Sequence, residues 1–279
     1  MHVRALAIAS WGAGKVSSSR ECSHYPRINT WYVDLMLSVG HKRQRALILA
    51  LLASLLLWNL PFGGLVLYPF KLLATWLHEM SHGVVMILSG AGFHHLEIFQ
   101  DTSGIAQAKQ GVSTFGRAAI HSAGYMGTAL FGAVLLVVGQ TRTGARSVLA
   151  SLGAALGISA FVWIQNDFGQ MATYIGMSVC IAVSLVPSER LAILVVNFIA
   201  AEACINALLD IRVLFRTEMV INGVIVDGAS DAHNMADATV GTHVLWAIVW
   251  LLWSCLCFFI ALRIIYLRHS GQREQPSAL

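Results

Sequence analysis

Charge is what this chain has least of. Asp, Glu, Lys and Arg make up 11% of its 279 residues and apolar residues 57%. A soluble domain carries about 25% charged and roughly 45–50% apolar residues. So few charges cannot cover a water-facing surface, which excludes an ordinary soluble enzyme, a disordered protein and a nucleic-acid binder. Paired cysteines are missing too. Cys22, Cys180, Cys204, Cys255 and Cys257 show no CxxC spacing, and four of them lie in apolar runs where a thiol acts as a small hydrophobe. That argues against a disulfide framework and against a cysteine metal site.

What is present is a series of long apolar runs, with a mean hydropathy of +0.68. A membrane helix needs about 20 mostly apolar residues. Runs at 46–67, 70–88, 118–139, 148–164, 168–186, 191–214 and 240–267 meet or approach that length. The chain therefore reads as an all-α, multi-pass integral membrane protein with six or seven transmembrane helices. Residues 92–110 are different in character. Leu96, Ile98 and Ile105 alternate with polar residues around an Asp101-Thr-Ser-Gly104 turn, so a short β-hairpin is expected after the second run. Residues 217–237 read as a polar loop.

Residues 45–267 thus form one membrane-embedded domain, flanked by a disordered tail at 1–44 and a polar tail at 268–279. The net charge is only +4, so its placement matters more than its size. Lys42, Arg43 and Arg45 precede the first run and argue for a cytoplasmic N-terminus. Arg263, Arg268 and Arg273, around the end of the last run, argue the same for the C-terminus. Seven spans cannot satisfy both clusters.

The second run contains His78-Glu79-Met80-Ser81-His82. This is HExxH. Helix positions i and i+4 share a face, so His78 and His82 can point at one metal ion. Glu79 lies beside them and can act as general base on a water at that ion. Two histidines, a third protein ligand and an open position form the usual catalytic zinc site. Ionisable groups inside a membrane span cost roughly 2.5–3.5 kcal/mol each on insertion scales, so three within five residues call for a function.

The third ligand should be an acid or a histidine from another segment. Asp210 ends the sixth run; it also fits an ion pair with Arg212. Asp231 precedes the seventh run and equally fits a helix N-cap beside Ser230. Asp167 reads as an interfacial loop residue. His121 opens a stretch with glycines at 124, 127 and 132, a small-residue face suited to close helix packing, and could support the site by hydrogen bonding. Trp246, Trp250 and Trp253 recur at helical spacing and read as lipid-facing or packing residues.

These features together resemble the site-2 proteases, the intramembrane zinc metalloproteases, and most of all their small M50B-like branch. The resemblance rests on His78–Gly83 inside a span, on Ser122–Gly127 at the start of a later span with the hairpin between, and on Asn206…Asp210 and Ser230-Asp231-Ala232. It implies that His78, His82 and Asp210 hold Zn²⁺, with Asp231 as the alternative third ligand, and that Glu79 is catalytic. No proline precedes Asp210 and Ile211 stands where the family pattern has glycine. The implied activity is hydrolysis of peptide bonds in membrane proteins or peptides within the lipid bilayer, with the hairpin presenting a substrate strand by edge pairing. Two rival readings remain open at this stage. One is a non-proteolytic chaperone or sorting factor that keeps the metal site. The other is a metal or ion transporter using His78, His82 and Asp210 as its pathway.

Overall fold

The computed structural model describes residues 48–215, 218–227 and 230–271. The expected N-terminal tail with Lys42, Arg43 and Arg45 lies outside the described residues, as do Cys22 and Arg273.

The chain opens with α1 (Ile48–Asn59) and α2 (Gly63–Leu88), which meet at 117°. The first two apolar runs were expected as separate spans; they form one bent unit instead. Leu60, Pro61 and Phe62 make the break. Pro61 brings no backbone N–H to continue the helix, and a side chain at Gly63 would collide with the Leu57 carbonyl. Five later helices or helix extensions are long and apolar enough to cross a membrane: Thr114–Val138, Arg142–Val162, Asp167–Leu185, Glu189–Arg212 and His243–Arg268. With the bent pair taken as one span the number is six, the lower of the two expected totals.

Between α2 and α3 (Thr114–Val138) lies the hairpin of β1 (Phe93–Ile98) and β2 (Gly104–Ala108), as the alternation in the sequence predicts. Thr102 takes a positive φ of 69° at its tip. The hairpin folds back along α2. Tyr68 Oη donates to the Gln100 carbonyl (2.8 Å) and Thr75 Oγ1 to the Thr102 carbonyl (2.6 Å).

The two edges of this hairpin differ. Leu96 donates to the Trp163 carbonyl and accepts from Gln165 N, and the Asn166 amide bonds both backbone groups of Ile98. The link between α4 (Arg142–Val162) and α5 (Asp167–Leu185) therefore closes the outer edge of β1. It follows that Leu96–Ala106 and Ile98–Gly104 are non-hydrogen-bonded pairs of the ladder. Ala106 and Gly104 must then turn their own N–H and C=O groups away from β1, toward α2, where no third strand pairs with them.

α6 (Glu189–Leu209) is the most enclosed of these spans and continues into a 3₁₀ turn, Asp210–Phe215. Gln140 at the end of α3 donates to Asn197 Oδ1 of α6 (2.8 Å), and Trp76 Nε1 of α2 donates to Ser159 Oγ of α4 (2.8 Å). Such bonds fix helix order where apolar packing alone has little direction.

The expected polar loop at 217–237 is structured. It holds an antiparallel hairpin, β3 (Glu218–Ile221) and β4 (Val224–Asp227), and a short helix, α7 (Asp231–Ala238). Asn222 and Gly223 take positive φ of 50° and 74°, the turn that Asn-Gly favours. The tip docks on the first hairpin: Gly223 N donates to Asp101 Oδ2 (2.8 Å) and Asn222 N to Ser103 Oγ (3.1 Å). Partial burial works against the charge on Asp101, but the Ser103 and Gly223 donors outweigh it and hold the carboxyl below the usual range. The last helix, α8 (His243–Gly271), carries the last apolar run, and the expected polar tail beyond Gly271 lies outside the described residues.

If the bent pair crosses once, six spans would reconcile the two basic clusters by placing both ends of the chain on one side. Reporters fused to the N- and C-terminus in turn are expected to report the same, cytoplasmic, compartment. Reporters on opposite sides would show that α1 and α2 do not act as one crossing.

Candidate metal centre

The site begins with the packing of α2 on α3. Gly124 and Gly127 of α3 face His78, Ser81 and His82 of α2. A β-carbon at Gly124 would lie within 2.5 Å of His82 Nε2 and closer still to His78 Nε2, and one at Gly127 would strike Ser81. The two helices approach this closely because those side chains are missing. The approach also places the Ile120 carbonyl against His82, whose Nδ1 donates to it at 2.6 Å.

That hydrogen bond has a chemical consequence. In the neutral form with its proton on Nδ1, His82 would present a lone pair at Nε2. His82 Nε2 lies 3.2 Å from Asp231 Oδ2, and His78 Nε2 lies 3.1 Å from the same oxygen. Two imidazole nitrogens and a carboxylate oxygen converging in this way form a donor set that could hold a metal ion. Two ligands bonded tetrahedrally to one zinc ion at 2.0–2.1 Å lie about 3.3 Å apart. The donor atoms of His78, His82 and Asp231 all fall within 4.8 Å of one another, and among the described residues this is the one such group of three or more.

Asp231 is free to face the histidines because a neighbour does the capping. Ser230 Oγ accepts from His233 N and so starts α7, leaving Asp231 in the first turn with its carboxylate turned inward. Its second oxygen, Oδ1, lies 3.7 Å from His121 Nδ1. Burial opposes the negative charge on Asp231, but His82, His121 and His78 outweigh that and hold its carboxyl well below the usual carboxylate range.

Asp210, the residue favoured by chain order, is not in this group. It lines the same cavity at the end of α6, where its backbone N–H donates to the Asn206 carbonyl and its side chain makes no hydrogen bond among the described residues. The order of residues along α6 could not show that a short helix, starting only after a second hairpin, folds back to the histidines first. Asp167 starts α5 beside the Asn166 contact with β1, away from the histidines.

Glu79 is 8% exposed and lies between the histidines and β2. A β-carbon at Gly104 would lie 2.8 Å from Glu79 Cγ, so the strand edge passes directly over the carboxylate, and the Ala106 amide is within reach of it. His78, Glu79, Asp231, Gly104 and Asp210 all line one cavity of about 550 Å³. Lys71, two turns before Glu79 on α2, lines its far end with its ammonium 4.4 Å from the Trp58 ring centroid.

The tryptophan row divides by position. Trp250 is 1% exposed and stacks on Tyr125, whose ring edge meets His78 at 4.7 Å. Trp253 Nε1 donates to the Met126 carbonyl (3.1 Å). They act as packing residues that hold α3, and through it His78. Sequence reading passed over Tyr125. The available signal was a tyrosine inside the glycine-rich stretch 124–127, on the face that meets HExxH.

No curated protein and no solved structure matches the chain. Residues 47–261 match one family of peptidases, and that stretch carries every residue of the site just described, from Lys71 to Trp250. The chain belongs to the Peptidase M50B-like family.

Proposed function

We propose that this peptidase is a zinc-dependent intramembrane endopeptidase, with His78, His82 and Asp231 as the metal ligands and Glu79 as the catalytic base. The observation that carries this reading is the convergence of the two Nε2 atoms on Asp231 Oδ2 at 3.1 and 3.2 Å. The donor set of two histidines and a carboxylate suits zinc, and the bare α-carbon of Gly124 leaves space beside both nitrogens. His121 would orient Asp231 from its outer oxygen, as Ile120 orients His82. When bound, the ion would supply a Lewis acid and lower the pKa of a water molecule.

The chain's own residues account for the rest. Glu79 takes a proton from the water that attacks the scissile carbonyl carbon, and returns it to the leaving nitrogen. A transmembrane helix presents no free peptide carbonyl, so the substrate must be extended at the point of attack. The edge of β2 that faces away from β1 carries the backbone groups of Gly104 and Ala106, in contact with Glu79. An extended membrane peptide that pairs there lies over the base in a single register. The closed edge of β1 leaves no competing place to pair on that hairpin. This arrangement disfavours a transporter, because the polar cavity is roofed by a strand edge suited to peptide backbone.

Glu79→Gln is expected to keep the metal and to abolish cleavage of a quenched-fluorescence single-span peptide by the purified protein in detergent. The loss should be about 100-fold or more, the scale of a missing general base. Unchanged cleavage would overturn the mechanism. The double variant His78→Ala, His82→Ala is expected to lose stoichiometric zinc, measured by elemental analysis.

Gly124→Ala places a methyl group against both Nε2 atoms and is expected to lose zinc although no ligand is altered. Gly64→Ala, at a position where a β-carbon meets nothing within 4 Å, is the matched control and should retain it. Full zinc in the Gly124 variant would show that the ion binds elsewhere.

A further inference from the structure

Tyr125 is 6% exposed, and its ring is held on two sides. It stacks on Trp250 with centroids 5.3 Å apart and planes 8° from parallel, and it meets His78 edge-on at 89°. A phenylalanine would make both contacts equally well. The hydroxyl therefore needs a separate reason, because taking a hydroxyl out of water without a partner costs free energy. Among the described residues it makes no hydrogen bond. Nor is it sealed off: the buried side-chain atoms that lack a partner are those of Ser54, Gln140, Arg146, Asn197 and Glu202. Tyr125 lines the cavity that His78, Glu79 and Asp231 also line. Its hydroxyl is a donor open to that cavity, and its ring is fixed against His78.

We propose that Tyr125 is a further catalytic residue, whose hydroxyl donates a hydrogen bond to the oxyanion formed from the scissile carbonyl. The proposal rests on the zinc-peptidase reading above. In the first step the water oxygen bonds to the carbonyl carbon, the C=O π pair moves onto oxygen, and the water proton goes to Glu79. In the second step the C=O double bond re-forms, the C–N bond breaks with its electron pair leaving on nitrogen, and that nitrogen takes the proton from Glu79. Tyr125 keeps its proton throughout. It contributes only where negative charge develops, which is the condition for raising kcat rather than lowering KM. Its rigid mounting between Trp250 and His78 means little reorganisation is needed when that charge appears.

The test compares the wild-type protein with Tyr125→Phe and Glu79→Gln, full-length and in detergent, on the same quenched-fluorescence single-span peptide. Tyr125→Phe keeps both ring contacts, so wild-type zinc content is expected. Its kcat should fall about 100-fold, the scale of one lost oxyanion donor, with KM unchanged. A phosphinic analogue of the same peptide, which mimics the tetrahedral oxyanion, should bind Tyr125→Phe more weakly by a similar factor. The uncleaved peptide should bind Glu79→Gln and the Glu79→Gln, Tyr125→Phe double variant equally. Wild-type kcat in Tyr125→Phe, or a loss confined to KM, would overturn the assignment of Tyr125 and leave the peptidase reading standing. A wild-type protein that cleaves no better than Glu79→Gln would overturn both.

Discussion

The catalytic half of this molecule depends on how closely α2 and α3 can approach. Two missing side chains, at Gly124 and Gly127, set that distance. Because α3 comes so near, the Ile120 carbonyl accepts a hydrogen bond from His82 Nδ1 and leaves Nε2 facing inward. Because Tyr125 follows Gly124, its ring lands on His78. Trp250 of α8 then stacks behind it, and α7 packs against the same part of α3 with Asp231 at its start. The geometry of the His78, His82 and Asp231 group and the contacts around it all trace back to one helix contact. A small-residue face usually reads as glue between membrane helices. Here it also sets the clearance within which two imidazoles and a carboxylate can meet.

The elements legible in the sequence were those with a local period. The spans at Thr114–Val138, Arg142–Val162 and Asp167–Leu185 follow from apolar length, and the first hairpin from alternation around Asp101–Gly104. HExxH was legible because helical spacing alone puts His78 and His82 on one face. The third member of the group was not, since Asp231 meets them through a contact separated by 149 and 153 residues. Its proximity depends on two hairpins docking through Asp101 and Ser103, and no short-range pattern encodes that. The second hairpin did carry a local signal. Met219-Val-Ile-Asn-Gly-Val-Ile-Val is an Asn-Gly turn between β-branched runs; the surrounding polarity masked it. The bend between α1 and α2 was hidden differently. Pro61 marked a break, but the 117° angle depends on Gly63 accepting contact with the Leu57 carbonyl.

Hydrolysis inside a membrane faces two obstacles, the lack of water and the lack of exposed peptide bonds. The cavity and the strand edge answer them with the same residues. Gly104 belongs both to the cavity wall and to the open side of β2, and the Glu79 carboxylate packs against it. The base thus sits where water and an extended backbone would coincide. Asn166 matters to this from a distance. By bonding both backbone groups of Ile98, it satisfies the far edge of the hairpin within the protein and keeps the near edge as the available one. An unsatisfied edge is costly in lipid; this one borders a polar cavity, and its Ala106 amide has the Glu79 carboxylate within reach.

The scarcity of charge now has a spatial meaning. Most of the charged and histidine side chains well inside the described spans, Lys71, His78, Glu79 and His82 on α2 and His121 on α3, line one cavity. Glu202 on α6 is bonded by Trp58, which lines it too, and Arg263 on α8 lies outside it. A protein that scattered these groups would bear the desolvation cost of each separately. Gathered around one polar space, they hydrate one another's surroundings and share one interruption of the apolar slab. Asp210, outside the group of His78, His82 and Asp231, faces that space as well. The chain concentrates its few charges where an extended peptide, water and an oxyanion would have to be accommodated together.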